Sequence, residues 1–118
     1  YKVNVITCAA PNLRERPANS MNPGDGNTPV RLSDRDLLAI HEKRLGRILD
    51  IAAAEENEVV ILGAFGCGAF LNPPRIVARA MKNVVKERRY DFKAIEFAVY
   101  CPPRDDSNYR VFERIMNF

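Results

Sequence analysis

Apolar residues alternate with polar ones at the start of the chain. Val3, Val5 and Ile6 are set among Lys2, Asn4 and Thr7, and this period of two predicts a short strand over Lys2 to Cys8. The pattern then dissolves. From Ala9 to Leu32, Pro11, Pro17, Pro23 and Pro29 recur, with Gly24, Gly26 and the asparagines Asn12, Asn19, Asn22 and Asn27 between them. Neither a helix nor a central strand tolerates that density of proline. An irregular stretch of this length reads as a lid or binding loop and, with equal weight, as a surface insertion.

Helical spacing begins after Ser33, which with Asp36 three positions on forms a capping pattern. Leu38, Leu45, Ile48, Leu49 and Ala52 make an apolar stripe that predicts a helix to about Asn57, and Lys43, Arg47 and Asp50 fall outside it. Val59 to Leu62 is apolar at every position, as in a strand buried on both faces. Asn72 and Pro73 signal a helix start, and the helix runs from the two prolines to about Arg89. Its core face carries Ile76, Val77, Ala80, Met81, Val84 and Val85. Arg75, Arg79, Lys82 and Lys86 form a basic stripe that reads as a solvated face. Ile95 to Tyr100 is a further strand, ended by Cys101-Pro102-Pro103. Asp105, Asp106 and Ser107 then start a last helix, with Val111, Phe112, Ile115 and Met116 on its apolar side. Strands separated by single helices predict parallel βαβ connections and an α/β sheet with helices on both faces.

The candidate chemistry lies between the second strand and the second helix. Gly63, Gly66 and Gly68 punctuate Gly63-Ala64-Phe65-Gly66-Cys67-Gly68-Ala69-Phe70, a strand-to-helix turn where backbone N–H groups can converge on an anion. Gly63 and Gly68 have the spacing of a nucleoside-triphosphate P-loop, but Ala69 and Phe70 stand where Lys and Ser or Thr are needed. Gly66-Cys67-Gly68 opens like a dinucleotide fingerprint, but Leu71 replaces its third glycine. What is left is a loop able to wrap a diphosphate and to lay Phe70 against a sugar or base, or else a tight turn that binds nothing. A helix amino-terminus beside Cys67 would lower its thiol pKa, so a cysteine-dependent hydrolase is a distant alternative. It lacks a glycine two residues before the cysteine and has no histidine on the same element. His41, the only histidine, lies on the first helix's stripe and reads as a partly buried structural residue. The acid pairs Glu55-Glu56 and Asp105-Asp106 sit at helix ends as ordinary solvated charge.

Composition narrows the class. Among 118 residues, 47% are apolar and 28% charged, the balance of one globular domain or part of one. There is no apolar run of membrane-spanning length and no signal-peptide pattern. Cys8, Cys67 and Cys101 are odd in number and widely spaced, which suggests neither a disulfide scaffold nor a zinc site. The expected compartment is a reducing cytoplasm, with no membrane partner, no metal and no cofactor. A net charge of +3 is compatible with an anionic ligand and does not call for a nucleic-acid surface. The chain opens at Tyr1 inside a strand, which predicts that sequence upstream of it is missing.

Thr7-Cys8-Ala9-Ala10-Pro11-Asn12, then a helix, then Ile61-Leu62-Gly63-Ala64-Phe65-Gly66-Cys67-Gly68-Ala69-Phe70 with Asn72 and Pro73, resembles the C-terminal part of the microbial-type poly(ADP-ribose) glycohydrolases, a branch of the macrodomains. The resemblance covers most of the chain and is weakest from Leu13 to Leu32. It implies that residues 1–118 are the C-terminal portion of a single three-layer α/β/α macrodomain-like domain with a mostly parallel sheet. It also implies that ADP-ribose or poly(ADP-ribose) is the ligand, with the diphosphate wrapped by Gly66, Cys67, Gly68 and Ala69. By the same resemblance Phe70 contacts the ribose near the scissile bond, and Asn12 is a further candidate contact. The family's catalytic run of glycines followed by Gln-Glu-Glu is absent from this sequence, so no catalytic residue is assigned. The resemblance therefore implies a parent enzyme that hydrolyses O-glycosidic ADP-ribose linkages and a chain that is inactive alone. The alternative is a non-catalytic ADP-ribose or nucleotide binding module. Macrodomains place another strand between those matching Val3 to Thr7 and Val59 to Leu62. The expectation is thus an open sheet edge, completed by an upstream segment or by self-association.

Overall fold

The computed structural model describes residues 1–117. Among these the order is one turn of 3-10 helix at Pro23–Asp25, then α1 (Asp34–Ala54), β1 (Val59–Gly63), α2 (Pro74–Glu87), β2 (Ala94–Ala98) and α3 (Ser107–Met116).

Each helix has a local cause. Ser33 accepts a hydrogen bond from the Asp36 N–H at 3.1 Å, and Asp34 and Asp36 place negative charge at the positive end of α1. α1 stops three residues before the expected Asn57 because Glu56 turns into the left-handed region at φ 57°. The Glu56 N–H then bonds the Ala53 carbonyl and the Asn57 N–H the Ala52 carbonyl, the paired bonds of a Schellman ending. α2 starts at Pro74, where a missing N–H costs nothing. Before α3 the Asp105 carboxylate accepts from the Ser107 N–H at 3.0 Å.

β1 and β2 pair in parallel from Val59 opposite Ala94 to Gly63 opposite Ala98, with α2 as the crossover. Val60 and Leu62 point into one buried cluster with Leu45, Leu49 and Ala52 of α1, Val77, Ala80, Met81 and Val84 of α2 and Phe112 of α3. The molecule is therefore mixed α/β with a parallel sheet, as the element order predicts. α1 is buried along Leu37, His41, Leu45, Leu49 and Ala52, so the stripe is centred on Leu37 and His41, and Leu38 and Ile48 lie at its margin.

Two expectations are corrected. Val59 and Ile61 are 49% and 67% exposed, so β1 is buried on one face only: the helices gather against the other face. Lys2 to Cys8 is extended but forms no strand. The physical reason is the lack of a partner at hydrogen-bonding distance. A cleft of about 330 Å³, lined by Asn4, Ile6 and Cys8 on one side and Val59 to Gly63 on the other, separates this segment from the free edge of β1. Its alternation is real, because Asn4, Ile6 and Cys8 face the cleft while Val3 and Val5 are 77% and 81% exposed.

Candidate ligand-binding site

The glycine segment leaves β1 at Gly63 and makes a run of tight turns, with Phe65 N–H to Gly63 O, Cys67 N–H to Ala64 O, Leu71 N–H to Gly68 O and Asn72 N–H to Gly66 O. Among the described residues, the N–H groups of Gly66, Gly68, Ala69 and Phe70 donate to no protein acceptor. These donors are open to water or to an anion.

The three glycines differ. Gly66 has φ 76°, and a Cβ there would stand 2.6 Å from both the Ala10 Cβ and the Asn72 Nδ2, so the chain needs glycine for backbone shape and for close approach. A Cβ on Gly68 would meet nothing within 4 Å. Gly68 opens, with Gly63 and Ala64, onto a cleft of about 440 Å³ at the carboxyl ends of β1 and β2. Ala98, Tyr100, Pro102, Asp105, Ser107 and Asn108 complete its lining. Open α/β sheets hold their ligands at that end. The Ser107 hydrogen bonds hold the Asp105 carboxyl below the usual carboxylate range, so it is an anion that can accept a sugar hydroxyl and not an acid that can give up a proton.

The other candidate residues are distributed around the loop. Phe65 turns inward, edge-on to the His41 ring at 5.7 Å between centroids. Phe70 lies in a separate cavity of about 380 Å³ with Ala9 to Asn12 and Arg44, and the Arg14 guanidinium sits 5.6 Å from its ring centre. Asn12 uses its amide within the long loop, donating to Pro17 O and to Asp25, and accepting from Arg14. That loop is fastened to the glycine segment by the Leu13 N–H, which bonds Phe70 O at 3.0 Å, and to α1 by Arg44, which bonds Ala9 O at 2.7 Å. Cys67 is half-buried, and burial pushes its thiol up to about 12. A thiol so held is not a thiolate at neutral pH, which removes the nucleophile from the cysteine-hydrolase alternative.

Sequence reasoning missed the support beneath the loop. Asn72 is 2% exposed and does not cap α2; its amide turns back under the glycines, donating to Pro11 O at 2.7 Å and Gly66 O at 3.0 Å. Its Oδ1 meets His41 Nε2 at 2.8 Å. His41 is wholly buried, more so than expected, and burial holds its pKa below the usual 6.5 in spite of the Asn72 hydrogen bond. The unfolded chain takes up a proton near 6.5 that the folded one refuses. The part of the stability that depends on a neutral His41 is therefore fully present above that pH and is lost as the solution is acidified toward the folded-state value. Urea midpoints measured from neutral to mildly acid pH should show this decline in the wild type and a flatter profile in His41→Gln; identical profiles would remove His41 as its source. Of the cleft residues, Tyr100 was legible as the end of a strand and Asp105 and Ser107 as turn and cap chemistry, while Asn108 carried no signal of its own; their position after a strand's carboxyl end is the signal that could have picked them out. Among the described residues no group of acidic, histidine and cysteine side chains could hold a metal ion, and no helix is long and apolar enough to cross a membrane.

No protein-family model and no curated protein matches the chain. Solved structures do match. Poly(ADP-ribose) glycohydrolase from Deinococcus radiodurans in complex with ADP-ribose superposes with a TM-score of 0.65 at 31% identity, over 70% of this chain and 34% of that one. The apo form of the same enzyme gives 0.64 at the same identity. The chain thus spans about a third of the length of the structures it matches. By fold and by sequence it is similar to the microbial poly(ADP-ribose) glycohydrolases and has their macrodomain-like α/β fold.

Proposed function

We propose that this chain binds ADP-ribose, with the diphosphate held by the segment from Gly63 to Phe70 and the sugar lying in the cleft beside Tyr100 and Asp105. The observation that carries the reading is the set of unclaimed N–H groups at Gly66, Gly68, Ala69 and Phe70, next to a Gly68 that faces open space at the carboxyl end of a parallel sheet. The likeness to a glycohydrolase solved with ADP-ribose supports it. Calorimetric titration of ADP-ribose should give a binding isotherm with the wild type and none with Gly68→Glu, whose side chain fills the open space and sets a negative charge against the diphosphate. Both proteins should melt alike, and equal heats would reject the loop as the site.

The parent reaction we propose is hydrolysis of O-glycosidic ADP-ribose linkages. These 118 residues should bind without turnover, because the sequence has no glycine run followed by Gln-Glu-Glu and the Asp105 carboxyl in the cleft is held ionised. Release of ADP-ribose from the polymer by this chain would overturn that part.

We further propose that the cleft between Asn4-Ile6-Cys8 and β1 takes an added strand. Among the described residues β1 pairs along one edge only, on β2, and the exposed Val59 and Ile61 flank the other. Expressed alone, the chain should complete the edge with a second copy. Sedimentation should then show concentration-dependent self-association, and a monomer at all concentrations would reject the added strand.

A further inference from the structure

We propose that His41 is a positioning residue for the ligand loop: in its Nε2-protonated form it fixes the Asn72 side chain, and Asn72 clamps the glycine segment from beneath. The inference rests on the reading that this segment holds the diphosphate.

Asn72 turns the two ends of its amide to different partners. One end of its amide faces three carbonyl oxygens, those of Pro11 at 2.7 Å, Gly66 at 3.0 Å and Phe70 at 3.4 Å. Only the NH2 end can satisfy them, so the Oδ1 end must point at His41. An acceptor at 2.8 Å from Nε2 then requires Nε2 to carry the proton. His41 Nδ1 is left without a proton and, though buried, without a partner among the described residues. An orphaned buried nitrogen is a cost that a merely space-filling side chain would avoid. What the histidine supplies in return is one donor, aimed at one oxygen.

That donor anchors the far end of the Asn72 amide. The three carbonyls set which way the amide faces, and without the Nε2–H its Oδ1 is a buried acceptor with no partner, so the side chain loses the contact that holds it against α1. Gly66 and Phe70, the two loop carbonyls that Asn72 grips, bracket Cys67, Gly68 and Ala69. The clamp therefore fixes both ends of the stretch that carries the free Gly68 and Ala69 N–H groups, while Pro11 ties in the long loop. His41 is reached from α1, so a residue with no ligand contact sets the geometry of the binding backbone.

Two amide substitutions separate positioning from packing. Glutamine at 41 can put an N–H where Nε2 stands, whereas asparagine reproduces the Nδ1 side of the ring and puts no donor there. His41→Gln should hold ADP-ribose within about threefold of the wild type, and His41→Asn should weaken it by about tenfold or more, the worth of one buried hydrogen bond. A readout that needs no ligand accompanies this: hydrogen exchange of the Leu71 and Asn72 amides, which close the loop turns onto Gly68 and Gly66. Their protection should survive in His41→Gln and fall about tenfold in His41→Asn. Equal protection in the two variants overturns the positioning role whatever ADP-ribose does. If protection differs as expected but the wild type gives no heat with ADP-ribose, the clamp stands and the ligand assignment falls.

Discussion

Gly66→Ala is expected to lower the stability of the chain by about 3 kcal/mol, the sum of roughly 1 for a left-handed residue gaining a Cβ and roughly 2 for overpacking. The overpacking term is firm because neither neighbour can retreat. One is the Ala10 Cβ, rooted on the backbone, and the other is the Asn72 Nδ2, tied to carbonyls on two segments; the new methyl would stand 2.6 Å from each. For a domain of this size the melting temperature should drop by about 10 °C. Gly68→Ala is the control. It has open space around the new methyl and no left-handed φ, so its melting temperature should stay close to that of the wild type. Thermal unfolding of the three proteins side by side is the measurement. If the two variants melt together, the distinction between a structural glycine and a cleft-facing one is lost.

The second large effect is expected at Asn72. Asn72→Ala removes the donor to Pro11 O, which has no other donor among the described residues, and strands the His41 Nε2 proton in the interior. Gly66 O and Phe70 O fare better, since they keep the N–H groups of Asn72 and Leu13. A buried N–H and a part-buried carbonyl left unsatisfied, at about 1–3 kcal/mol for the first and less for the second, give an expected loss of roughly 3 kcal/mol in urea unfolding. Asn72→Asp sharpens the point, because a carboxylate can take the histidine proton but can donate to none of the carbonyls. It should lose a similar amount near neutral pH and raise the His41 pKa above its wild-type value, which NMR titration of the ring reads directly. A loss below about 1 kcal/mol in both variants would mean that water replaces the amide.

How far the sequence could be read follows from the range of the interactions involved. The helices were legible because their signals are local: Ser33 with Asp36, the apolar spacing on α2, and the Pro73-Pro74 opening. β1 was legible as a strand, but its uniform apolarity suggested cover on both faces, and Val59 and Ile61 contradict that. Periodicity reports which side chains avoid water, not whether a neighbour is present to shelter them. The same limit explains Lys2 to Cys8, whose alternation is that of a strand while the partner edge lies across a cleft. At the site, the glycine spacing revealed a loop, but not that Gly66 serves the fold while Gly68 faces the cleft. Nor could it reveal His41 against Asn72, a pairing 31 positions apart in the chain that leaves no mark on either local pattern.

The parallel pairing of β1 with β2 also bears on how the molecule comes together. Val59 meets Ala94 only after a chain of about 35 residues has been closed, which costs about 2 kcal/mol more entropy than closing a four-residue hairpin. That closure gains nothing until α2 has docked, so the strands join late and after a helix. Gly63 and Ala98, the last register pair, are also two walls of the candidate cleft. The cleft thus has no existence in any partly folded form that lacks the pairing, and a ligand seated there favours the completed crossover over every earlier state.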